Sequence, residues 1–126
     1  MKRLAFISAL LVALALPSLA LAGGPPAGRY ATKIATPAPL KGTWAISFAN
    51  GGKYTISQNG AVVVRGHYLS VAPQIEFSKE TGPKACPAAG YYNWKRSGKA
   101  LTFHRLSDPQ CAGRSLVLAH RFTLSG

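Results

Sequence analysis

The sequence predicts an all-β fold, a small antiparallel up-and-down β-barrel of seven to eight strands with at most a short helix near its C-terminus. Three observations carry this. From Lys41 onward the chain is a series of short runs with apolar residues at period two, the repeat of a pleated strand with one buried face. Glycine, asparagine and proline punctuate the runs at close intervals, as turns require. No later stretch sustains the 3.6-residue period of an ordinary amphipathic helix.

The first run, Gly42–Ala49, sets Trp44, Ile46 and Phe48 on one face and Thr43, Ala45 and Ser47 on the other. Asn50-Gly51-Gly52 is a turn in which positive φ costs little. The run Lys53–Gln58 places Tyr54 and Ile56 together, and Asn59-Gly60 is the preferred dipeptide of a two-residue hairpin. Ala61–Val71 is long enough to bend at Gly66, where a bulge would flip part of its alternation. Pro73 breaks the chain before a run at 74–78, with Ile75 and Phe77 in phase. An irregular loop at 81–89 holds Pro83, Cys86 and Pro87. The next runs are 90–96, with Tyr92 and Trp94 in phase, and 99–106, with Leu101 and Phe103 inward. Ser97-Gly98 turns the chain between them. A second irregular loop runs from Asp108 to Gly113. The segment 114–119 fits a short helix or a strand, because a brief apolar run looks alike in both. The run 120–124 closes the chain with Phe122 and Leu124 in phase.

A meander of this kind must bury its inner face and hide its edges, and closing into a barrel does both. A two-sheet sandwich is the competing closure. The tight hairpins favour the barrel, since Greek-key sandwiches need longer crossings. The expected interior is Trp44, Ile46, Phe48, Tyr54, Ile56, Val62, Val64, Tyr68, Ile75, Phe77, Tyr92, Trp94, Leu101, Phe103 and Phe122.

Ahead of the barrel, 1–22 has the pattern of a secretory signal peptide. A basic Met1-Lys2-Arg3 start leads into an apolar run from Leu4 to Leu16, and Ala20-Leu21-Ala22 is a small-x-small cleavage site. The run is too short to span a bilayer, which takes ~20 apolar residues. A secreted or periplasmic protein is therefore expected, cleaved after Ala22, neither membrane-spanning nor lipid-anchored. Residues 23–40 contain Gly23-Gly24-Pro25-Pro26, Thr36-Pro37 and Ala38-Pro39. Proline removes donors and holds its predecessor extended, so this stretch reads as a flexible Pro/Gly-rich tail. The barrel domain is expected over 41–126.

The formal net charge is +12, with only three acidic residues, Glu76, Glu80 and Asp108. Such an excess fits anionic surroundings such as an envelope component or an acidic partner. The cations are scattered along the chain rather than grouped, which equally fits solubility alone. Nucleic acid is not an expected partner of an exported chain. The two cysteines, Cys86 and Cys111, form an even set in an exported chain and are expected to pair in a disulfide. His67, His104 and His120 have no ligand spacing, so neither a metal nor any other cofactor is expected. With so few acids and no nucleophile bracketed by a base, no catalysis is expected either. Glu76 alternates with Ile75 and Phe77 and should face outward, while Asp108 before Pro109 fits a turn.

Gly42-Thr43-Trp44 resembles the Gly-x-Trp that opens the first strand of lipocalins. Tyr54-Thr55-Ile56, Arg65-Gly66-His67-Tyr68, Gly82-Pro83, Ala85-Cys86-Pro87 and Cys111-Ala112-Gly113-Arg114 extend the likeness to small bacterial exported lipocalin-like proteins. The chain departs from full lipocalins in its short length and in lacking their Thr-Asp-Tyr signature. The resemblance implies that Trp44 closes one end of the barrel beneath an arginine, for which Arg121 is the candidate. It also implies a small hydrophobic or amphipathic ligand, neutral or anionic, bound at the opposite end. The expected lining is Tyr68, Tyr92, Trp94 and Phe103, with Arg65 or Arg105 at the rim. Two alternatives stand beside it. One is an envelope domain whose side chains fill the interior and leave no ligand site. The other is a protein-binding barrel similar to bacterial metalloprotease inhibitors, with 23–40 as the inserted arm.

Overall fold

The computed structural model describes residues 24–125. The expected signal peptide lies outside the described residues. Eight antiparallel strands close into one barrel in sequence order. They are β1 (Gly28–Ile34), β2 (Gly42–Ala49), β3 (Lys53–Gln58), β4 (Ala61–Val71), β5 (Gln74–Thr81), β6 (Gly90–Ser97), β7 (Ala100–Ser107) and β8 (Phe122–Leu124). A 3₁₀ turn, Ala38–Leu40, links β1 to β2, and one helix, α1 (Ala112–Leu118), links β7 to β8. The segment that read equally as helix or strand is therefore helical. Leu116 is exposed while Val117 and Leu118 are buried, and its short length lets α1 lie against β7.

The first strand corrects the expected tail. Gly28–Ile34 pairs with β2 over its whole length, from Gly28 opposite Phe48 to Ile34 opposite Gly42. It also pairs with β8 through Tyr30–Leu124 and Ala31–Thr123, and so makes the closing seam. Tyr30 and Ile34 are buried at period four along it, too sparse a signal between prolines to read as a strand. The barrel domain thus begins at β1, not at Lys41, and no arm remains in 28–34 for a protease-inhibitor mode.

The two ends of the barrel differ. One end carries the tight connections Asn50–Gly52, Ala72-Pro73 and Gly98-Lys99. The other carries the 3₁₀ turn, Asn59-Gly60, the loop 82–89 and the α1 connection. Side chains fill the interior. Tyr54, Phe77, Tyr92, Phe103 and Phe122 form a chain of edge-to-face rings with centroids 5.0–6.1 Å apart between successive members, except that Tyr92 and Phe103 stand 6.4 Å apart. Such pairs contribute about 0.5–1.5 kcal/mol each beyond their buried area.

Three bulges decide which side chains enter, and in the one on β7 Tyr91 faces Ser107 and Tyr92 faces Arg105, leaving Leu106 extra. Ile56 faces Val64 and Ser57 faces Val62, leaving Val63 extra. Val63 is buried and Val62 is 41% exposed, so the expected inward position of Val62 is wrong. Another bulge lies in β5. Arg65 faces Thr81 and His67 faces Ser78, so Lys79 and Glu80 together oppose Gly66. Lys79 adopts φ +53°, the left-handed geometry that shifts the phase of a strand. Ile75 and Phe77 point in, and beyond the bulge Glu80 points in as well.

Candidate functional site

The bulge at Lys79 brings a carboxylate into the end of the barrel, where Tyr54 and Arg114 meet it and Arg114 leads on to Asp108 and Tyr92. The Tyr54 hydroxyl donates to Glu80 Oε2. The Cys86 backbone N–H donates to Glu80 Oε1 at 2.9 Å. Arg114, from α1, reaches between the two buried acids. Its Nε and Nη2 donate to Asp108 Oδ2 and Oδ1 at 2.8 and 2.7 Å, a bidentate pair. Nη2 also donates to the Ala88 carbonyl at 2.7 Å. The Tyr92 hydroxyl donates to Asp108 Oδ2 at 2.5 Å. Glu80, Asp108 and Arg114 are all at least nine-tenths buried. Charges so placed persist only when paired and hydrogen-bonded.

Two glycines make room. A Cβ on Gly66 would stand 2.7 Å from the Tyr54 hydroxyl, and one on Gly90 would stand 2.7 Å from both Arg114 Nη2 and Asp108. Burial pushes the Tyr54 hydroxyl well above its ordinary range, and its bond to Glu80 pushes it further. Burial does the same to Tyr92, aided by Asp108. Burial works against the Arg114 charge, but Asp108 and Glu80 more than reverse this, so the guanidinium is held firmly cationic.

Arg114 Nη1 lies 3.0 Å from Glu80 Oε2. The contact is an ion pair that joins Arg114 to Glu80. Nη1 is the buried side-chain polar atom without a hydrogen-bond partner among the described residues. Arg114 and Glu80 line a cleft of about 280 Å³ at this end of the barrel. Its apolar walls are Leu40, Trp44, Ile56, Val64 and Val117, with the Cys86–Cys111 disulfide on one side. Lys84 and Gln110 complete the lining. The Lys84 ammonium sits 5.5 Å from the centre of the Trp44 ring and donates to Gln58 Oε1. The expected pairing of Cys86 with Cys111 is present.

The structure relocates the expected closure. Trp44 is buried, and its indole N–H donates to the Leu40 carbonyl at 2.7 Å. The cation over its ring is Lys84; Arg121 is exposed and lines a shallow recess with Lys33 and Thr43. Arg121 is at this end, between α1 and β8, but it lines the recess with Ala31, Lys33 and Thr43 and not the cleft beside Trp44. Trp44 lines the cleft, so the end it was expected to seal is the one that opens.

The six expected ligand residues are not brought together. Tyr92, Phe103 and Arg105 share an external recess beside α1 with Leu116 and Leu118. Arg65 lines a different recess with Lys53 and Lys79. Tyr68 packs edge-on against Phe48 with centroids 5.2 Å apart, and its hydroxyl donates to the Ala49 carbonyl. The Trp94 indole N–H donates to Ser70 Oγ at 3.1 Å. Sequence reasoning missed Glu80, Asp108 and Arg114. The available signals were glycines at 66 and 90 inside strand patterns, which mark close approach, and the scarcity of acids in the chain. No family model, curated protein or solved structure matches this chain.

Proposed function

We propose that this is an exported, non-catalytic, lipocalin-like barrel that binds a small amphipathic molecule, neutral or anionic, in the cleft beside Trp44. The observation that carries the reading is a cleft walled by Leu40, Trp44, Ile56, Val64 and Val117 with Arg114 and Lys84 in its lining. Sites of this type combine apolar walls with a few placed polar groups. The apolar part of the ligand would lie on Leu40, Trp44, Ile56 and Val117. Its head would meet the Lys84 ammonium. At about 280 Å³ the cleft is near the lower limit of ligand pockets, ~300–1,000 Å³, so a short chain or a single ring system fits better than a full lipid. Eight-stranded up-and-down closure supports the lipocalin-like assignment. The disulfide supports a secreted or periplasmic location.

Melting temperature should rise with short-chain alkyl carboxylates and their alcohols, because ligands that bind only the native state stabilise it. Val117→Trp, which fills the cleft, should abolish the shift, and Lys84→Gln should weaken it for the carboxylates alone. No shift with any amphiphile would overturn the reading and favour the alternative of a filled barrel without a ligand.

A further inference from the structure

The β5 bulge sorts charge as well as shape. It turns Glu80 into the barrel end and leaves Lys79 outside. Asp108 is buried too, and Arg114 pairs with both acids. Glu76 is therefore the single side-chain carboxylate left outside the core among the described residues of a strongly basic chain. Three cations and a histidine meet on one wall. Lys53 on β3 faces His67 on β4, Thr55 faces Arg65, and Lys79 bulges out between Ser78 and Thr81. Lys53, Arg65, His67 and Lys79 line one recess, with the Thr55 and Thr81 hydroxyls and no acid.

The same face of β4 continues into apolar residues. Arg65, His67, Leu69 and Val71 project at period two, spanning about 20 Å at the usual rise. Leu69 is 70% exposed and Val71 is 65% exposed. Beside Leu69 stand Glu76 and the exposed Tyr91, whose hydroxyl donates to Glu76 Oε2 at 2.9 Å. Cations in a recess, followed by bare aliphatic side chains toward the Ala72-Pro73 turn, fit a surface that is anionic above and apolar beneath. We propose that this outer wall, β3 to β6, docks on an anionic phospholipid surface. The cations would meet the phosphates, and Leu69 and Val71 would enter the acyl boundary. A soluble polyanion would use the cations and leave the apolar pair idle.

Co-sedimentation of the folded protein with vesicles tests this. Binding should be seen with equal parts phosphatidylcholine and phosphatidylglycerol and be lost with phosphatidylcholine alone. Each cation near such a surface is worth about fivefold in affinity, so Lys53→Gln/Lys79→Gln should lose roughly 30-fold. Lys33→Gln/Lys99→Gln removes the same charge from other parts of the barrel and should lose much less. Leu69→Ser/Val71→Ser should weaken vesicle binding without altering melting temperature, and Glu76→Gln should strengthen it. Equal losses from the two lysine pairs would mean net charge alone and would overturn the proposal. So would binding to soluble polyphosphate that the Leu69/Val71 variant retains in full alongside undiminished vesicle binding.

Discussion

Tyr54 and Tyr92 hold the ends of a five-residue polar chain, Tyr54–Glu80–Arg114–Asp108–Tyr92. Both hydroxyls are shifted upward in the folded state. Below the ordinary phenol value of ~10 both states are protonated and stability does not depend on these groups. Above it the unfolded chain ionises while the folded chain resists, so stability falls with rising pH. The slope is about 1.4 kcal/mol per pH unit for each such tyrosine. Urea midpoints measured from about pH 8 to about pH 11 should be level and then drop, and Tyr92→Phe should make the drop shallower. Phenolate absorbance should show both groups titrating only as the barrel unfolds. A midpoint that stays level across the range would show that the two hydroxyls ionise freely in the fold.

At the scale of elements, β1 is the decisive correction. It buries Tyr30 and Ile34 and has neighbours on both sides. A chain starting at Lys41 should therefore lose its cooperative thermal transition, whereas removing a flexible tail would leave the transition in place. Circular dichroism during heating separates the two. The strands β2, β3 and β4 were legible to the residue, because Trp44, Ile46 and Phe48 alternate cleanly and Asn59-Gly60 fixes the hairpin. The bounds of β5 were not, because the chain continues as strand through a phase shift that no periodicity records. The same shift hid the candidate site. Glu80 looks outward by alternation from Phe77, and only a residue forced to positive φ at Lys79 turns it inward. Arg114 was hidden for another reason, since its partners Glu80 and Asp108 are distant in sequence and meet it only through the fold. Gly66 was read as the bend itself, but the register of β4 holds there and the bulge lies across from it in β5.

For the molecule as a whole, the irregular end is held by a cross-link as well as by the buried ions. Cys86 and Cys111 tie the loop before β6 to the start of α1 across 25 residues. Closing a loop of that length contributes about 3.5 kcal/mol in the chain-entropy model, a large share of the ~5–15 kcal/mol of a small domain. Cys86→Ser/Cys111→Ser should lower unfolding free energy by about 3–4 kcal/mol in urea titrations. A variant as stable as the parent would mean that the Arg114 network alone fixes this end.

The seam between β1 and β8 also sets an order of events. Tyr30 meets Leu124, and Ala31 meets Thr123, so the earliest described strand waits for the last one to be synthesised. Until then β1 and β7 present open edges, the state in which strands find wrong partners. A ribosome that still holds β8 therefore holds the whole barrel open. Arrival of β8, more than growth of any earlier hairpin, is the event that lets this barrel close.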